Sequence, residues 1–94
     1  MALVTFFTNE TTDATSPIFQ IDDGGYRVLR ASGTFGGATI TLYADFGDNN
    51  FVPFADAPFT APNVKGLEFL KTGMRLRATI SSSSGSTSIN FDML

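Results

Sequence analysis

Apolar and polar residues alternate most regularly in two stretches of the chain. In ATITLYADF, residues 38–46, Ala38, Ile40, Leu42, Ala44 and Phe46 fall on one phase, and Thr39, Thr41, Tyr43 and Asp45 on the other. In MRLRATIS, residues 74–81, Met74, Leu76, Ala78 and Ile80 alternate with Arg75, Arg77, Thr79 and Ser81. Successive side chains of a strand point to opposite faces, so a period of two marks a half-buried antiparallel strand. The expected core is therefore Ile40, Leu42, Phe46, Leu76, Ala78 and Ile80, joined by Ile89 and Phe91 of the closing stretch STSINFDML.

The rest of the chain reads in the same way. Thr, Val, Ile, Phe and Tyr occur in short runs divided by Gly, Asp, Asn and Pro, and helix formers do not cluster at helical spacing. A first strand is expected over 2–8 and a short one in IFQI. DDGG at 22–25 predicts a hairpin from IFQI into YRVLRAS. GTFGG is a tight turn, FVPF a return strand at an edge or bulge because Pro53 lacks an N–H, and residues 55–66 irregular. LEFLK is a brief strand, TG a turn and SSSSG a flexible tip. About eight short strands spaced by roughly 8–12 residues predict one all-β domain over 1–94, an antiparallel sandwich or a jelly-roll or barrel-like fold.

Composition narrows what such a domain can do. Cysteine and histidine are absent, which removes disulfides, the usual general base near neutral pH and the strongest zinc and copper ligands. The net charge of −3 argues against a nucleic-acid or anionic-membrane footprint. No apolar run approaches the ~20 residues of a membrane-spanning helix. The first residues have no basic segment ahead of a long apolar one, so the chain is expected to be made and kept in a cytoplasm until assembly or lysis. Charged residues make up only 16% of the chain against about 25% in ordinary domains, so Ser, Thr, Asn and Gly or a partner must cover the surface.

The candidate chemistry is sparse. Asp45, Asp48, Asn49 and Asn50 offer oxygen donors for calcium but lack the spacing of a calcium loop, and short Asx turns account for them. Asp22 and Asp23 sit at a turn rather than across a cleft. GTFGG leads into a strand, unlike a phosphate loop, which opens a helix. The serines have no histidine to activate them. No catalytic residue, cofactor or metal site is expected. Arg75 and Arg77 share the outward phase of their strand and form either a basic patch for a carboxylate-rich partner or a solvated face.

SGTFGGATITLYADFGDNNFVPF, followed by LEFLKTGMRLRATISSSSGSTSINF, resembles the small β-structured virion proteins of tailed bacteriophages. The shared features are a Gly-Thr-Phe-Gly-Gly-Ala-Thr lead into an alternating strand, a Gly-x-Arg-x-Arg-Ala strand and a Ser/Gly-rich turn near the end. The resemblance covers residues 32–91 and departs from the pattern in the acidic, Asn-rich loop 45–50. It implies a structural subunit on the outside of the head, of the capsid decoration (cement) or head-fibre type. Its partners would be the major capsid protein and further copies of itself, as a trimer or dimer. A receptor- or carbohydrate-binding module of a tail or fibre is the alternative, although Tyr26 and Tyr43 are the only tyrosines and there is no Trp to build a sugar platform.

The first strand bears on assembly. ALVTFF is apolar on both phases, with Val4 and Phe6 on one and Leu3 and Phe7 on the other. A small two-layer domain can bury only one face of an outer strand. Leu3 and Phe7 are therefore expected to face a neighbouring subunit or the capsid, within an assembly-contacting segment 1–16. Leu3, Phe7, Arg75 and Arg77 are the candidate partner contacts.

Overall fold

The computed structural model describes residues 3–94, and their side chains apart from those of residues 55–57, 68 and 69. Residues 1 and 2, where the first expected strand begins, lie outside it. The strands are β1 (Val4–Glu10), β2 (Ala14–Thr15), β3 (Phe19–Gln20), β4 (Gly25–Thr34), β5 (Thr39–Asp45), β6 (Val52–Phe59), β7 (Asn63–Leu70), β8 (Arg75–Ser81) and β9 (Ser88–Met93). The fold is all-β, as the alternation requires. One sheet has the order β1-β9-β4-β7; the other has β2-β8-β5-β6, with β3 also on β8.

β2 and β3 lie along the same edge of β8, at Ile80 and Thr79 and at Leu76 and Arg75. They are one strand interrupted at Ser16–Pro17. Pro17 cannot donate to the ladder. Ser16 spans the break, its amide donating to the Ala78 carbonyl at 2.8 Å and its hydroxyl accepting the Ala78 amide at 2.9 Å. Counted this way there are eight strands, and they pair as β1 with β9, β2/β3 with β8, β4 with β7 and β5 with β6, all antiparallel. The chain is thus one long hairpin with its tip at 46–51. Rolling that hairpin lays β4 beside β9 and β5 beside β8. That is the strand order of a jelly roll.

The roll explains where local turn signals mislead. β3 belongs to one sheet and β4 to the other, so DDGG closes no hairpin; it carries the chain across the sandwich. Ile21, fully buried, anchors this crossing through its amide to the Met74 carbonyl at 2.7 Å and its own carbonyl to the Gly73 amide at 2.8 Å. GTFGG is the expected tight turn. Ala38 N–H bonds the Phe35 carbonyl at 3.0 Å across Gly36 (φ 58°) and Gly37 (φ 90°), both in the left-handed region that a type I′ turn demands. It too joins the two sheets. The serine tip is tied down rather than free. Ser84 and Thr87 close a turn, Ser84 Oγ donates to the Gly36 carbonyl, and Thr87 Oγ1 donates to the Phe35 carbonyl at 2.8 Å. Residues expected to be irregular after 55 instead continue β6 to Phe59 and open β7 at Asn63. β6 is an edge strand with a register break, as Pro53 predicts.

The core lies between the sheets. Ile40, Leu42, Leu76, Ala78, Ile80, Ile89 and Phe91 are all buried there. Phe91 touches Phe6 and Phe59, both at 5.3 Å between ring centroids, so one aromatic cluster reaches from β1 and β9 across to β6. Two sequence expectations are corrected. Phe46 is 80% exposed, because β5 ends at Asp45 and Gly47 (φ 95°) turns the chain away before the alternation can carry it inward. Phe7 faces the core, only 6% exposed. Thr5 pairs with Asp92 and Phe7 with Phe91, so Phe6 is an extra residue, a β-bulge. The bulge resets the alternation and turns both Phe6 and Phe7 inward.

Candidate interaction surfaces

The outer face of the four-stranded sheet carries an aliphatic row. β4 alternates with Leu29 and Ala31 inward and Tyr26, Val28 and Arg30 outward. Arg27 points inward and is buried, so Arg27 and Arg30 lie on opposite faces, as their odd spacing requires. Val28 exchanges backbone bonds with Leu94, each 2.9 Å, beyond the last residue of β9. Beside them stand Leu3, just ahead of β1, and Val64 on β7. Leu3, Val28, Val64 and Leu94 are 53%, 43%, 60% and 58% exposed.

A shallow hollow of about 220 Å³ lies between these four side chains and Arg30 and Asp92. Arg30 and Asp92 are cross-strand partners and form a two-pronged pair, Nε to Oδ1 at 2.9 Å and Nη2 to Oδ2 at 2.8 Å. The hydrogen bond to Asp92 raises the Arg30 pKa above its ordinary value. With its charge matched inside the sheet, this face presents aliphatic groups around a neutralised ion pair. Such a surface favours a protein partner over a polyanion.

The outer face of the other sheet is built differently. Asp45 ends β5 opposite Arg75 at the start of β8. Arg75 reaches it with Nε to Oδ1 at 3.0 Å and Nη2 to Oδ2 at 2.6 Å, and bonds Asn49 Oδ1 at 2.6 Å as well. Asp45 also accepts the Gly47 amide at 2.9 Å, and Asp48 accepts that of Asn50 at 3.3 Å. These are the Asx turns read from the sequence. The bond from Arg75 holds the Asp45 carboxyl below the usual carboxylate range against its burial, and the Gly47 amide adds to that. Among the described residues no three acidic side chains come together as a metal ligand set.

Arg77, next on the same face, lies over Phe51 at 4.2 Å and near Tyr43 at 6.0 Å, a stacked cation with no carboxylate partner among the described residues. At the hairpin tip Phe46 stands between two grooves. The groove toward β6, about 260 Å³, includes Val52, Phe54 and Met74 in its wall.

The four candidate contacts therefore do not converge. Leu3 belongs to the aliphatic row, Arg75 and Arg77 to the opposite face, and Phe7 to the core. Arg75 is committed to Asp45 within the subunit, which leaves Arg77 as the freer cation. Val28, Val64, Leu94 and Phe46 were missed as surface residues. For Val28 a signal existed: in YRVLRAS it falls on the same phase as Tyr26 and Arg30, opposite Leu29. Comparison with protein-family models, with curated proteins and with solved structures gives no match.

Proposed function

We propose that this protein is a structural subunit of a tailed-phage virion, a decoration or cement protein that docks on the outside of the head through the outer face of its four-stranded sheet. The observation that carries the reading is the row Leu3, Leu94, Val28 and Val64, aliphatic and exposed on a face whose only described ion pair is internally matched. Isolated exposed aliphatics are ordinary, but a contiguous row across four strands is the mark of a protein contact. The jelly-roll order supplies a rigid platform and needs no chemistry. Repeated copies on a symmetric shell turn weak single contacts into firm attachment, because each bound neighbour raises the effective concentration of the next. The tail-module alternative gains little from the aromatics: Tyr26 lies on the outer face of one sheet and Tyr43 on that of the other, so they share no platform.

The test is a binding one. Purified phage heads stripped of the subunit are incubated with wild type and with Val28→Glu, and occupancy is read from particle images. Lattice points on the head should be filled by wild type and largely empty with Val28→Glu, whose melting temperature stays within a few degrees of wild type. Density on a tail appendage, or full head occupancy by the variant, would overturn the reading.

A further inference from the structure

An edge strand offers unpaired N–H and C=O groups to any passing chain, and proteins blunt such edges with prolines, bulges and breaks. Three of the four edges here are blunted. β6 carries Pro53 and Pro58 and sets residues 54–57 against Leu42 alone. The β2/β3 edge is broken at Ser16–Pro17. β1 shifts register twice within seven residues. β7 differs: its sequence NVKGLEFL has no proline, and its one register shift, between Leu67 and Leu70, leaves Asn63 to Leu67 paired with β4 residue for residue.

The direction of its free groups follows from the ladder. Val28 gives both its N–H and its C=O to Leu94, so it faces β9. Its cross-strand partner on the other side, Gly66, therefore directs its own N–H and C=O away from β4, toward the open edge. By the same alternation Leu29 bonds Lys65, and Val64 faces outward with Gly66; the Val64 amide already donates to Asn63 Oδ1 at 2.8 Å, so the free donor of this stretch is that of Gly66. A Cβ placed on Gly66 would meet nothing within 4 Å, so nothing obstructs the approach of another strand there.

We infer that β7 pairs antiparallel with β7 of a second copy about a two-fold axis at Gly66, fusing two four-stranded sheets into one of eight. On the axis the two Gly66 residues exchange both backbone bonds. One feature favours a second copy over an unrelated strand. The aliphatic row ends at this edge with Val64 exposed, and joining the edges continues it across both subunits. The arrangement is isologous and closes at two, selecting a dimer over a trimer. The inference rests on reading the chain as an assembling subunit, but its test uses the free protein and does not depend on whether heads are bound.

An interface limited to one strand edge falls below ~1,200 Å² and associates weakly, so sedimentation equilibrium should run from about 10 µM to about 1 mM. Wild type should approach twice the subunit mass at the upper end. Gly66→Pro removes a donor that faces away from β4 and should stay monomeric with its fold intact. Gly66→Ala keeps the donor and should associate like wild type. Should Gly66→Pro not fold, amide exchange in wild type decides instead: protection at Gly66 should rise with protein concentration. A wild type monomeric at about 1 mM leaves the edge to another protein's strand and overturns the proposal. So do a trimer, dimerisation of a folded Gly66→Pro, or concentration-independent exchange at the Gly66 amide.

Discussion

Phe91→Leu isolates the contribution of the aromatic cluster. Phe91 is fully buried and shares its ring with Phe6 on one side and Phe59 on the other. Leucine keeps most of the apolar burial but loses both ring pairs. At about 0.5–1.5 kcal/mol per pair, the expected cost is ~1–3 kcal/mol. Phe91→Ala also opens a cavity and should cost at least ~3–5 kcal/mol. A chain of this length is stable by only ~5–14 kcal/mol, so alanine threatens the fold while leucine leaves it measurable. In thermal unfolding the leucine variant should melt at least ~4 °C lower, at roughly 4–8 °C per kcal/mol. Phe6→Leu, which loses one ring pair, should fall by about half as much. Urea denaturation of the three proteins supplies the free energies. A Phe91→Leu loss below ~0.5 kcal/mol, or a Phe6→Leu loss equal to it, would show that the ring contacts do not join the two sheets energetically.

Phe7→Ala should cost ~3–5 kcal/mol of stability, whereas Leu3→Asp should stay within about 0.5; equal losses in denaturation would return Phe7 to the surface. Gly33 has φ 97° and a Cβ there would run into the Ser88 carbonyl oxygen, so Gly33→Ala should cost at least ~1–3 kcal/mol. Gly37→Ala, with a similar φ but open space, should cost less, and the reverse order in melting temperature would refute the close approach. Because the Asp45 pKa is depressed in the fold, its contribution is present above the unfolded carboxylate pKa and is lost as pH falls through the folded one. The melting temperature of wild type should therefore fall more steeply on acidification than that of Asp45→Asn. The variant keeps a smaller slope from Asp13, whose pKa the Ser83 amide lowers; identical slopes would remove Asp45 from the account.

Much of the fold is legible in the sequence because β5 and β8 are half-buried strands whose faces differ in polarity. Ile40, Leu42, Leu76, Ala78 and Ile80 could be assigned inward from spacing alone. What spacing does not carry is the sheet to which a strand belongs. DDGG is a strong turn signal, yet a turn that crosses the sandwich uses the same residues as one that closes a hairpin. Nor does spacing announce a bulge: one extra residue in β1 moved Phe7 from the outer phase to the core. Phe46 failed for the opposite reason, since the alternation ran one residue past the end of the strand. Of the candidate surfaces, Leu3 and Arg77 were legible as residues that strand phase leaves outside. The row they belong to, or lie apart from, is assembled from Val28, Val64 and Leu94 by long-range pairing, which no local pattern encodes.

The rolled hairpin also fixes an order of events during synthesis. β5 and β6 are neighbours in sequence and can pair as soon as both leave the ribosome. β4 must wait for β7, β2 and β3 for β8, and β1 for β9, so among these strands the earliest made is satisfied last. Closing such long loops before their contacts form makes folding slow relative to a local topology. Until β9 emerges, VTFFTNE remains a nascent strand without its partner, and Phe6 and Phe7 are surface that a chaperone can hold.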